Sequence, residues 1–112
     1  MAKAQNRIIA GKYEGHRISY NFGKPKTAFE TFFDKEHIEE YELVTAEKIK
    51  SGSSAIIRGA IGGAVLGPVG LLAAVTAKNN GINTVAIGWK DGSKSLIEVD
   101  DKIYKAIVKE MF

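Results

Sequence analysis

The chain has 112 residues, of which 45% are hydrophobic and 26% charged, with a net charge of +3. This predicts a single domain over residues 1–112 with one modest apolar core, and it excludes a multidomain enzyme and a disordered or fibrous polymer. With no cysteine, neither a disulfide framework nor a zinc–thiolate site can form. The polar start Met1–Arg7 lacks the apolar stretch of a signal peptide, so a cytoplasmic protein is expected.

In chain order, Arg7–Tyr13 and His16–Phe22 are rich in β-branched and aromatic residues and flank Glu14-Gly15, which predicts a hairpin. Gly23-Lys24-Pro25-Lys26 is expected to break it, because proline removes a ladder donor. Thr27–Phe33 reads as a further strand and Asp34-Lys35-Glu36-His37 as a turn or one helical turn. Ile38–Val44 then reads as a strand whose odd and even apolar positions conflict. Ile82–Lys90 and Ser93–Val99, joined by Asp91-Gly92, predict a second hairpin with a two-residue turn. That turn sets Trp89 opposite Lys94, Ile87 opposite Leu96, Val85 opposite Glu98, Ala86 opposite Ile97 and Thr84 opposite Val99. Asp100 is placed to cap a closing amphipathic helix, with Ile103, Tyr104, Ile107, Val108 and Met111 at helical spacing.

Residues 53–78 differ from the rest. Ser53 or Ser54 can cap a helix, and no charge occurs over the nineteen positions Gly59–Ala77. That length is close to the ~20 residues that span a bilayer. Gly67-Pro68 divides it, which predicts an apolar helical hairpin, Ser53–Leu66 and Pro68–Lys78, inserted in the β-rich body. Ala55, Gly59, Gly63 and Gly67 recur every four residues, the spacing of a glycine zipper, and form one shallow helical groove, with Leu71 continuing it. Each helical glycine costs ~1 kcal/mol relative to alanine, so several together point to close packing, hinge freedom or a membrane environment that compensates.

Charge is segregated along the chain: residues 1–26 carry +5, residues 27–47 carry −6, residues 48–78 carry +4 and the remainder is neutral. Opposite faces that pair within the fold are the expected outcome. Nucleic-acid binding is not expected, because it wants cations gathered on one face with aromatics among them. Gly59–Gly70 lacks the lysine of a phosphate loop and the strand–helix context of a dinucleotide fingerprint, so no cofactor or small-molecule ligand is predicted. His16 and His37 have no ligand spacing for a metal. A catalytic site would need one of them joined to the carboxylates of residues 36–47, and no catalytic residue is assigned.

Phe32–Thr45, Gly59–Ala77 and Gly88–Ile97 before a terminal helix resemble small bacterial and phage-encoded proteins in which a PH-like β-rich module carries a glycine-rich helical insertion. The resemblance covers about three quarters of the chain and implies a binding or membrane-associated module; it supplies no catalytic residue. The expectation is therefore an α+β fold: an antiparallel sheet of hairpins, an inserted apolar helical hairpin and a C-terminal amphipathic helix. The expected function is non-enzymatic association through Ala55, Gly59, Gly63, Gly67 and Leu71, with self or a protein partner. Membrane association through residues 53–78 is the alternative and a small enzyme the third reading.

Overall fold

The computed structural model describes residues 6–21, 24–27, 31–61 and 81–112. Their elements run β1 (Arg7–Gly11), β2 (Ile18–Asn21), β3 (Lys24–Thr27), β4 (Ile38–Leu43), α1 (Ala46–Ser51), α2 (Ala55–Ile61), β5 (Ile82–Trp89), β6 (Lys94–Asp100) and α3 (Asp101–Met111). The fold is α+β with antiparallel pairing: one sheet has the order β1-β6-β5-β4, and β2-β3 form a second. Of the expected inserted helical hairpin, α2 falls within the span Ser53–Leu66 of the first helix. Residues 62–80, which would complete it, lie outside the described residues.

The β5–β6 hairpin forms, one residue out of the expected register. Trp89 N donates to Ser93 O at 2.9 Å and Gly92 N to Trp89 O at 3.0 Å, with Gly92 at φ 90°. This is a three-residue loop, a type I turn closed by a glycine bulge, and not a two-residue turn. The Asp91 side chain favours it by accepting the Ser93 N–H at 2.9 Å, which an asparagine-type turn requires. The observed pairs are Val85↔Ile97, Ala86↔Leu96 and Ile87↔Ser95. Because strand side chains alternate with a period of two, this register puts Val85, Ile87, Ile97 and Val99 together on one face and Ala86 and Leu96 on the other. The expected pairing would have mixed them.

The same two-faced requirement resolves the conflicting apolar positions of β4. Ile38 pairs with Trp89 and Glu40 with Gly88, so Glu39 is an extra residue in a β-bulge. The bulge returns Ile38, Tyr41 and Leu43 to the face carrying Trp89, Ile87 and Val85. A bulge in β1 between Ile8 and Ala10 acts in the opposite sense, sending Ile8 to the first core and Ala10 to the second.

Three expectations for the N-terminal third are corrected. Ile8 N donates to His16 O and Ile18 N to Asn6 O, so the chain does fold back, but the ladder partner of β1 is β6 and that of β2 is β3. Residues 24–27, expected to end the β structure, are themselves a strand. Pro25 O accepts from Phe33 N at 3.0 Å, and a strand residue's N–H points to the same side as its C=O. The N–H that proline lacks thus falls away from β2, and the β2–β3 ladder loses nothing. Thr27–Phe33 is not a continuous strand: Thr27 N donates to Thr31 O and only Lys26↔Phe32 forms a bridge, while residues 28–30 lie outside the described residues.

Asp100 caps α3 as expected, its Oδ1 accepting from Ile103 N at 2.8 Å. α3 buries Ile103, Ala106 and Ile107 against the first face, which β2–β3 and Phe33 also cover. α2 covers the second face with Ile56, Ile57 and Ala60. An unanticipated helix, α1, is capped by Thr45 Oγ1, which accepts from Lys48 N at 3.2 Å. No helix among the described residues is long and apolar enough to cross a membrane.

Candidate functional site

α2 begins at Ser54, whose Oγ accepts from Ile57 N at 3.2 Å and donates to Glu42 Oε1 on β4. Of the two serines considered, Ser54 is thus the cap. Lys48 lies 3.2 Å from the same carboxylate and donates to Leu43 O at 3.0 Å. The Ser54 hydroxyl, and after it Lys48, hold Glu42 below the usual carboxylate range. One acid therefore joins β4, α1 and the start of α2, and fixes how α2 lies on the sheet.

With that orientation Ile56, Ile57 and Ala60 face inward, and Ala55 and Gly59 are exposed. A Cβ at Gly59 would lie 2.5 Å from Lys94 Cδ, so the absence of a side chain lets the lysine methylenes cross the helix. The structure therefore places Ala55 and Gly59 on one outward edge beside Lys94. Gly63, Gly67 and Leu71, the other members of the expected surface, lie outside the described residues. The second face of the sheet admits this close helix because its residues are small. Ala10, Ala60 and Ala86 are buried there, and a Cβ at Gly88 would lie 3.5 Å from Ile56 Cδ1.

At one end of the sheet three turns converge on a cleft of about 160 Å³ lined by Lys12, Tyr13, Thr31, Glu36, His37, Trp89, Lys90 and Asp91. Its floor is aromatic: the Tyr13 and Trp89 rings meet edge to face at 5.6 Å and Phe33 lies 5.3 Å from Trp89. Trp89 Nε1 donates to Ser95 Oγ at 2.7 Å, and Ser95 Oγ donates to Lys12 O at 2.6 Å, a buried relay that anchors the first turn to the hairpin. Tyr13 holds φ 66°, a conformation that costs a bulky residue ~1–2 kcal/mol and that its ring contacts must offset. Across the rim Lys12 pairs with Asp91, which raises the lysine pKa and holds the carboxyl below its usual range.

This cleft brings His37 beside Glu36, one of the juxtapositions a catalytic reading requires. His16 does not line it, although its ring lies 5.6 Å from Tyr13. His37 Nδ1 lies 2.7 Å from Asp34 Oδ1, and the same oxygen accepts the N–H groups of Glu36 and His37. Asp34, Glu36 and His37 present donor atoms within 4.8 Å of one another and are the group among the described residues that could ligate a cation. The bonds to Asp34 Oδ1 close the turn into β4, which accounts for the cluster's geometry. The glutamates at 39, 40 and 42 lie along β4, where Glu39 pairs with Lys90 at 3.2 Å and Glu42 with Lys48. The acidic block thus finds partners on the β5–β6 turn and α1. Residue spacing gave no sign of the cleft, because its walls come from turns far apart in the chain. Comparison with protein-family models, curated proteins and solved structures finds no match.

Proposed function

We propose that the protein is a non-enzymatic interaction module that self-associates through the glycine-spaced edge of its helical segment. The observation that carries this reading is the division of α2. Ile56, Ile57 and Ala60 are committed to the core, while Ala55 and Gly59, the first two members of the four-residue repeat, are exposed. Small residues on an outward helical edge permit close approach of a second helix, and the repeat continues in the sequence through Gly63 and Gly67 to Leu71. A fold of the PH-like kind, suggested by the sequence resemblance, is consistent with a binding role.

Sedimentation velocity over a range of concentrations tests the proposal. The wild-type chain is expected to associate, and Gly59→Leu or Gly63→Leu to shift it toward monomer with its circular dichroism unchanged. A wild-type chain that sediments as a monomer at every concentration reached overturns the reading, as does association that both leucine variants retain.

A further inference from the structure

Four of the N-terminal cations, Arg7, Arg17, Lys24 and Lys26, are scattered in the sequence, but the fold gathers them on one β surface. Arg7 of β1 and Arg17 are directly opposed across an antiparallel bridge, and both are exposed. Along the adjoining β2–β3 ladder, Ser19 faces Lys26 and Asn21 faces Lys24. Ile18, Pro25 and Thr27 are buried, so alternation sends Arg17, Ser19, Lys24 and Lys26 to the outer side. Lys26 bridges to Phe32, whose ring lies 5.9 Å from Lys24 Nζ. Two acids adjoin the surface. Glu98, opposite Arg7 on β6, is buried at 4% exposure and offsets one charge, and Glu14 lies in the turn before Arg17.

Arg7 and Arg17, set side by side across the bridge, present two guanidinium groups to the outer side, an arrangement that suits an anion between them. Lys24 and Lys26, two residues apart on one strand, are separated by ~6.6 Å along it. That spacing is comparable with successive phosphates of an extended polynucleotide. Guanidinium forks suit phosphate oxygens, and an aromatic ring beside the cations suits an unpaired base. Phe112 is the one large apolar side chain exposed among the described residues, so this face offers charge without an apolar wedge for a bilayer. We propose that the β1–β3 surface formed by Arg7, Arg17, Lys24 and Lys26 binds the phosphodiester backbone of a single-stranded nucleic acid. This surface is separate from the α2 edge, and the inference does not rest on self-association.

Fluorescence anisotropy of the full chain with a labelled oligothymidylate tests it. Three to four phosphate contacts give a log–log salt slope of about −2 to −3, an affinity loss of roughly 20- to 50-fold between about 50 and 200 mM salt. The Arg17→Gln/Lys24→Gln pair should weaken binding about tenfold and reduce the slope by ~1.4, whereas Lys105→Gln/Lys109→Gln on α3, equal in charge change, leaves both within about twofold. If the first pair does not fold by circular dichroism, Lys24→Glu alone is read in the same way. The proposal is overturned by absence of binding at the lowest salt, by equal losses from the two charge-matched pairs, or by binding to phosphatidylserine vesicles without binding to the oligonucleotide.

Discussion

The two faces of the four-stranded sheet are filled in opposite ways. The first carries Ile8, Ile38, Val85, Ile87, Ile97 and Val99 and is covered by large side chains from α3, β2 and the Phe33 region. The second carries Ala10, Ala86, Leu96 and Gly88 and is covered by the short α2 at close range. Large residues exclude water by volume, and their removal leaves cavities. Small residues allow backbone approach, and their enlargement forces elements apart. The sheet is thus buried on both sides, yet the two sides have opposite tolerances.

Four substitutions probe this contrast, from the largest expected effect to the smallest. Ile97→Ala on the first face should cost about 4 kcal/mol in urea unfolding, through lost burial and a residual cavity. Were Ile97→Ala to cost no more than a surface change, the first face would not be the dominant core. Gly11→Ala should cost about 3 kcal/mol, because the residue has φ 84° and its Cβ would clash with the Lys94 carbonyl oxygen. Ala86→Leu should cost about 2 kcal/mol by overpacking beneath α2. A stabilising effect there would mean that the second face has unfilled volume. Asp100→Ala should cost about 1 kcal/mol by removing the α3 cap, with an unchanged denaturant slope.

Acid should weaken the contacts of the second face and the hairpin. The folded pKa of Glu42 lies below its ordinary value, so its contribution is present above the ordinary pKa and is lost as pH falls through the folded one. The carboxyl of Asp91 is depressed in the same sense by Lys12 and Ser93. Stability is therefore expected to fall below about pH 4, and Glu42→Gln should flatten part of that fall. A Glu42→Gln chain with an unchanged acid profile would show that the contacts of the Glu42 carboxylate with Ser54 and Lys48 do not hold α2 to the sheet.

Much of the local structure was legible in the residue order. The Asp100 cap, the apolar stripe of α3, the turn at Asp34–His37 and a chain reversal at Asp91-Gly92 all depend on interactions a few residues apart. α1 carries its local signals in Thr45, whose hydroxyl caps it, and Gly52, which ends it in the left-handed conformation. The candidate surface was legible only in part. Spacing grouped Ala55 with Gly59, but the packing of Lys94 against Gly59 required knowing that β6 runs beneath α2.

By itself, the sequence determined the Asp100 cap, the C-terminal helix and the chain reversals at Asp34–His37 and Asp91-Gly92, because hydrogen bonds and backbone preferences within a few residues suffice for them. Tertiary structure decided the register of β5–β6, the bulge that moves Glu39 out of the ladder and the strand that passes through Pro25. It also decided the gathering of Arg7, Arg17, Lys24 and Lys26 on one surface. These depend on which distant strand each segment pairs with. That choice is set by burying both faces of the sheet at once, a requirement that no local window of residues contains.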